Sequence, residues 1–144
     1  MVNIIGNANI IIIGYNKTLD NIIDLCNNII MKENILIEKS KKFAIDIVNL
    51  CDSIKSHSSI VNQLIRSGTS IGANIHEAQY AHGKNDFIAK LEISLKECSE
   101  TEYWLELLFE TNKISEVVYK ELKQQAGTIR RLLIASCKTA KGNI

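Results

Sequence analysis

The 144-residue chain contains no proline. Proline ends or kinks helices and is at home in turns, so its absence favours long, uninterrupted helices over a turn-rich β fold. Long hydrophobic runs are missing too. The longest near the N-terminus is the four isoleucines at 10–13, far short of the roughly 20 apolar residues that span a bilayer. No basic segment precedes it, which argues against a secretory signal. The four cysteines, Cys26, Cys51, Cys98 and Cys137, stand at least 25 residues apart. That excludes a CxxC zinc knuckle or redox pair and reads as buried thiols in a reducing cytoplasm. The net charge is only +1, so bulk charge names no partner. What is present, 46% apolar and 23% charged residues, is the composition of one ordinary globular domain.

Residues 1–30 differ from the rest, with ten isoleucines and seven asparagines. From Met31 onward the composition becomes the lysine, glutamate and leucine mixture of a helical protein. Two readings are open for 1–30: translated upstream sequence, with Met31 as the true start, or a native extension carrying a short helix around 18–31. The change in composition favours the first. Residues 31–144 then form the folded domain.

Four helical segments are expected in that domain. The first spans about 35–55, with Phe43, Ile47, Leu50 and Ile54 at helical spacing. SHSS (56–59) breaks it and offers N-caps for a second helix over about 59–81. HGKND (82–86) breaks the pattern again, with Gly83 suited to a C-cap and Asn85 or Asp86 to an N-cap. A third helix runs about 86–111. TNKIS (111–115) ends it and supplies Ser115 as the N-cap of a fourth helix over about 116–138. Short loops make neighbouring helices antiparallel, so the expected fold is all-α, an up-down-up-down antiparallel four-helix bundle.

The second helix holds an unusual stretch, RSGTSIGANIHEAQ (66–79). On a helical wheel Gly68 and Gly72 fall amid Val61, Leu64, Ile65, Ile71, Ile75 and Ala78, and so face the core. Each glycine costs about 1 kcal/mol against alanine in a helix interior. Close approach of a neighbouring helix would offset that cost, with Phe87 or a leucine of helix three filling the gap. Ser67, Ser70, Asn74 and Glu77 lie along one flank of the apolar arc, as either a solvated edge or a hydrogen-bonding seam.

Two motifs invite chemistry and fail on context. GTSIG (68–72) matches the G-x-S-x-G elbow, but helical pattern flanks it on both sides where a strand should precede it. HEAQYAH (76–82) separates its histidines by six residues, which on a helix turns them about 120° apart and away from a shared zinc. No catalytic residue, metal site or cofactor is expected.

Helix three carries two apolar seams. Phe87, Leu91, Cys98, Leu105 and Leu108 suit the bundle core. Ile93, Trp104 and Leu107, with Tyr103 beside them, lie roughly opposite and suit an oligomer interface; the plainer alternative is that Trp104 reaches round to cap the core. Charge is divided between helices: residues 84–112 hold seven acids against three lysines, and residues 113–144 hold seven bases against two acids. Lys113, Lys120, Lys123, Arg130, Arg131, Lys138 and Lys141 fall within about a 100° arc of helix four, away from Val118, Leu122, Ile129, Leu132 and Leu133. Such an arc is a solvated face, a phosphate-contacting surface, or a face that meets acidic helix three of a neighbouring subunit. Few aromatics interleave it, so any nucleic-acid contact would be to backbone and weakly sequence-specific.

SGTSIGANIHEA, then NDFIAKLEISLKECSETEYWLELL, then a basic last helix together resemble the bacterial 23S rRNA intervening-sequence, or S23, proteins over about residues 35–138. The most specific piece is Ser70, Ile71, Asn74, Ile75 and Glu77, followed by the S-L-K-E-x-x-E-x-x-Y/W-L pattern at 94–105. Members commonly have glycine where this chain has Ala78. The resemblance implies an up-down left-handed bundle and a ring-like homo-oligomer, a pentamer. It also implies similarity to the nucleic-acid-binding accessory protein of diversity-generating retroelements. It supplies no firm biochemical role.

The sequence reading is therefore a cytoplasmic, non-enzymatic, homo-oligomeric helical bundle with no membrane contact. It binds RNA or DNA backbone through Lys120, Lys123, Arg130, Arg131 and Lys138, alone or beside a protein partner. The alternative is an interaction scaffold or accessory subunit without nucleic-acid contact, its basic stripe pairing between subunits with Glu92, Glu102, Glu106 or Glu110. Intact-mass spectrometry of the protein from its native source checks the Met31 start: the expected mass begins there, and an N-terminus at Met1 overturns it.

Overall fold

The computed structural model describes residues 5–56 and 58–142, with side chains for 18–24, 35–56 and 58–142. The chain is all-helical, with no strand among the described residues. Its helices are α1 (Ile5–Ser53), α2 (Ser58–Ala78), α3 (Lys84–Glu110) and α4 (Glu116–Lys141). The chain divides into two compact units, Met1–Glu33 and Asn34–Ile144. In the first, Leu19, Ile22 and Ile23 at i, i+3 and i+4 are each about half exposed (52%, 51% and 54%), so these positions bury no core. Composition suggests that the first long helix starts near residue 35; instead the backbone is helical from Ile5. No glycine or proline occurs between residues 15 and 53. The shift in composition at Met31 changes the side chains on offer without supplying anything that ends a helix.

Within Asn34–Ile144 the core is built from the apolar arc of each helix. Phe43 and Ile47 of α1, Leu64, Ile71 and Ile75 of α2, Leu91, Leu105 and Leu108 of α3, and Ile129 and Leu133 of α4 are all at most 1% exposed. Each such side chain contributes about 1.5–3 kcal/mol relative to exposure. Cys51, Cys98 and Cys137 are free, buried thiols. The Cys26 side chain lies outside those described.

Specific contacts tie the helices in sequence order. Ser40 and Ile47 of α1 face Gly72 and Gly68 of α2. Ser67, Ile71 and Glu77 of α2 meet Thr101, Ser94 and Lys90 of α3. Glu92, Cys98 and Glu102 of α3 meet Lys141, Ala126 and Arg130 of α4. Gln125 of α4 donates to Asp46 of α1 at 2.9 Å. In the first two sets the numbers rise along one helix as they fall along the other, and the Glu92–Lys141 and Glu102–Arg130 pairs of α3 and α4 do the same.

The helix ends follow local chemistry with one correction. Ser115 caps α4, its side chain accepting from the Val118 amide at 3.3 Å, and Gly142 closes that helix at φ 77°. Gly83 does not close α2. It is the N-cap of α3, in place of Asn85 or Asp86, which lie inside the helix, and its backbone is extended, a conformation that any residue adopts. The Asp86 carboxylate reaches back to accept from the His82 amide at 3.1 Å, satisfying a donor ahead of the helix.

The glycines of α2 do face the core, but the neighbour is not α3. A Cβ on Gly68 would sit 2.8 Å from Ile47 Cγ2, and one on Gly72 would sit 3.5 Å from the Ser40 carbonyl oxygen. The glycine arc is turned to α1, because α2 meets α3 along its Ser67–Ile71 flank. Gly127 of α4 is different: only Arg131 Nη1, at 3.8 Å, would meet a Cβ there.

These two glycines predict opposite outcomes in chemical denaturation. Gly68→Ala should destabilise by about 1–3 kcal/mol, because overpacking against Ile47 outweighs the gain in helix propensity. Gly127→Ala should stabilise by about 0.5–1 kcal/mol. A stabilised Gly68→Ala chain would refute the close approach of α1.

Candidate nucleic-acid interface

The basic residues of α4 stand on its outer arc, and all are exposed. Helix geometry places them there: the apolar positions of α4 turn inward, so the cations are left outside. Their partners divide the arc into two flanks. On the α3 side, Arg130 Nη2 lies 3.6 Å from Glu102 and Lys141 Nζ 2.7 Å from Glu92. Lys123 donates to the Tyr119 hydroxyl at 2.7 Å, and that bond, with the nearby charges of Glu106 and Glu102, holds its ammonium protonated above the usual lysine range. The Lys141 hydrogen bond likewise pushes the Glu92 carboxyl below its ordinary value. The acids of α3 thus answer the bases of α4 inside one chain, where the sequence alone allowed pairing between subunits.

The remaining cations are less engaged. Lys120 pairs with Glu116 one turn back at 2.6 Å. Arg131 Nη2 donates to the Thr128 hydroxyl at 3.1 Å, and no carboxylate among the described residues pairs with Arg131, Lys138 or Lys113. Exposed ion pairs are worth about 0–1 kcal/mol each, so their effect here is on local potential more than on stability.

Thr128 also lines a groove of about 320 Å³ between α1 and α4, shared with Lys39, Lys42, Glu121, Gln124, Gln125 and Ile129. The sequence reading missed this groove. Its signal, lysines on the outside of α1 and amides on α4, has meaning only once those helices are known to be neighbours.

The second seam of α3 is only partly free. Tyr103 and Ile93 are exposed (57% and 38%). Leu107 is half-buried. Trp104 packs partly against the core, and its indole N–H donates to Glu100 Oε1 at 3.1 Å. Glu100 also lies 3.8 Å from Arg66 of α2. Tyr103 and Trp104 meet edge to face at 4.8 Å between ring centroids. Beside them, burial and the negative charge of Glu100 push the Glu97 carboxyl above its usual range, against the opposing effect of Arg66.

The polar flank of α2 is a seam. The Ser67 and Thr101 hydroxyls lie 3.0 Å apart, both fully buried. Ser94 donates to the Ile71 carbonyl at 3.1 Å, Asn74 Nδ2 donates to the Ser70 carbonyl at 2.9 Å, and Glu77 pairs with Lys90. Ile71 and Ile75 fill the core beneath. The Ser70, Ile71, Asn74, Ile75 and Glu77 motif therefore registers α2, in part directly on α3. GTSIG lies within α2, in helical backbone. Among the described residues no group of three His, Cys, Asp or Glu side chains is placed to hold a metal ion, and no helix is long and apolar enough to cross a membrane.

The sequence profile described as 23S rRNA-intervening sequence protein matches residues 32–135. A crystal structure of a protein of unknown function, from the S23 ribosomal protein family of Bacteroides thetaiotaomicron VPI-5482, is 46% identical to this chain. The two superpose with a TM-score of 0.72 over 74% of this chain and 98% of that one. No curated protein matches.

Glu97 supplies a pH test. Its folded carboxyl holds a proton more tightly than the unfolded one, so its ionisation costs stability as pH rises through the carboxylate range. Glu97→Gln should modestly raise the thermal midpoint at pH 7, and its advantage should shrink as pH falls toward 4. A gain that is independent of pH would refute the account.

Proposed function

The chain belongs to the 23S rRNA-intervening sequence protein family, and from that premise we propose that it is a non-enzymatic, homo-oligomeric, nucleic-acid-binding protein of the cytoplasm. Its helical domain is read as an up-down-up-down four-helix bundle, on the strength of the opposed contact order of successive helices and the Gln125–Asp46 bond that joins the last helix to the first.

One observation carries the binding role: the outer arc of α4 lines up Lys120, Lys123, Arg130, Arg131 and Lys138, all exposed. Arrayed cations displace condensed counterions from a phosphate backbone, which gives sequence-tolerant, salt-sensitive affinity for RNA or DNA. Tyr119, which accepts from Lys123, is half-buried and stacked on Phe109, so base stacking contributes little. Exposed Tyr103 and Ile93, with half-buried Trp104 and Leu107, support self-association on the other side of α3, with a pentamer as the expected count. The same patch favours a second reading, an interaction scaffold or accessory subunit that contacts protein and no nucleic acid.

Light scattering coupled to size exclusion separates these readings. The expected result is an oligomer that gains mass with a generic RNA at low salt and releases it at high salt while staying assembled. An oligomer indifferent to RNA overturns the binding role in favour of the scaffold. A monomer overturns self-association.

A further inference from the structure

We propose that the phosphate contacts of this protein are made by the α1-facing flank of α4 together with Lys39 of α1, and that the α3-facing flank of the same basic arc contributes little. The inference rests on the nucleic-acid reading above and assigns the surface that performs it.

Two sets of three cations on one domain differ in their surroundings. On the α3 flank, Arg130 and Lys141 each face a glutamate of α3 at 3.6 and 2.7 Å, and Lys123 sits in the field of Glu102 and Glu106. A phosphate arriving there meets carboxylates as well as cations. It must compete with an existing pair or accept repulsion, and either cost cancels most of the attraction.

On the α1 flank three cations stand outside any ion pair among the described residues. Arg131 is held along the helix by the neutral Thr128 hydroxyl at 3.1 Å, and its other terminal nitrogen lies over Gly127, 3.8 Å from where a Cβ would stand. Nothing bulky shields that guanidinium. Lys138 lies two turns further on the same face, about 10 Å away at 1.5 Å per residue. Lys39 reaches the same place from α1, lining the 320 Å³ groove with Thr128. None of these three pairs with a carboxylate among the described residues. Glu121, which lines the groove, and Asp46 are grouped around Lys42, which bonds Asp46 at 2.6 Å and lies in the field of Glu121. Lys39 lines the groove itself, and Arg131 reaches its edge through the Thr128 hydroxyl. Cations from two helices converging on one polar groove fit the backbone of a nucleic-acid strand.

Two triple variants with the same change in net charge test the assignment. One is Lys39→Gln, Arg131→Gln and Lys138→Gln; the other is Lys123→Gln, Arg130→Gln and Lys141→Gln. All six positions are exposed, and circular dichroism melting confirms that each variant is folded. Binding to a fluorescein-labelled single-stranded RNA is followed by anisotropy from 50 to 300 mM salt. The groove-side variant should lose tenfold or more in affinity, and its log–log salt slope should fall by about 2, near 0.7 per lost phosphate contact. The α3-side variant should lose several-fold less affinity than the groove-side variant, and its slope should fall by less than about 1. Equal losses in the two variants, or a greater loss on the α3 side, overturn the assignment while leaving nucleic-acid binding in place. A wild-type chain that does not bind the RNA overturns the nucleic-acid reading and this inference with it.

Discussion

The close approach of α1 to α2 at Gly68 is the constraint on which the rest of the domain depends. Ile47 occupies the space that a side chain at 68 would need, and the Ser40 backbone lies in contact range of Gly72 one turn on. Two glycines in mid-helix weaken α2 as an isolated helix by about 1 kcal/mol each. Burial of Ile47, Leu64, Ile71 and Phe43 in the same layer offsets that loss. With the glycine arc committed to α1, the adjacent flank of α2 is left to α3. There the Ser67–Thr101 and Ser94–Ile71 hydrogen bonds set the register. A buried hydroxyl that misses its partner costs about 1–3 kcal/mol, so the seam selects one alignment of the two helices more than it adds net stability.

That alignment passes on to α4. Once α3 is registered on α2, its outward glutamates stand beside the last helix, and Arg130 and Lys141 come to rest against Glu102 and Glu92. Two cations of the last segment are thus paired with acids of α3 on one flank of α4. The surplus is displaced to the other flank, beside α1. The electrostatic character of the surface is a result of packing, since the same seven cations would present an even stripe on an isolated helix.

The family motif has a structural explanation of the same kind. Ser70, Asn74 and Glu77 line a flank that the sequence leaves open between a solvated edge and a hydrogen-bonding seam. In the folded chain their bonds run to backbone and to Lys90. Trp104 shows a similar outcome: a large aromatic on the outer seam of α3 settles half against the core, with its N–H satisfied by Glu100. Tyr103, its neighbour in sequence, is the more exposed of the two, because consecutive residues on a helix point about 100° apart.

The sequence by itself determined the all-helical class, three helix breaks to within about three residues, the Ser115 cap and most of the buried set, because periodicity and capping are local properties. It also determined which face of α4 is basic, since that follows from spacing alone. It misplaced the start of α1, because composition changes at Met31 while nothing there ends a helix. Only the tertiary structure decided which helix fills the space at Gly68 and Gly72, whether α3 and α4 pair within the chain, and which cations stay free. Each of those depends on which helices are neighbours and at what register, and a one-dimensional pattern holds no information on the identity of the residue across the gap.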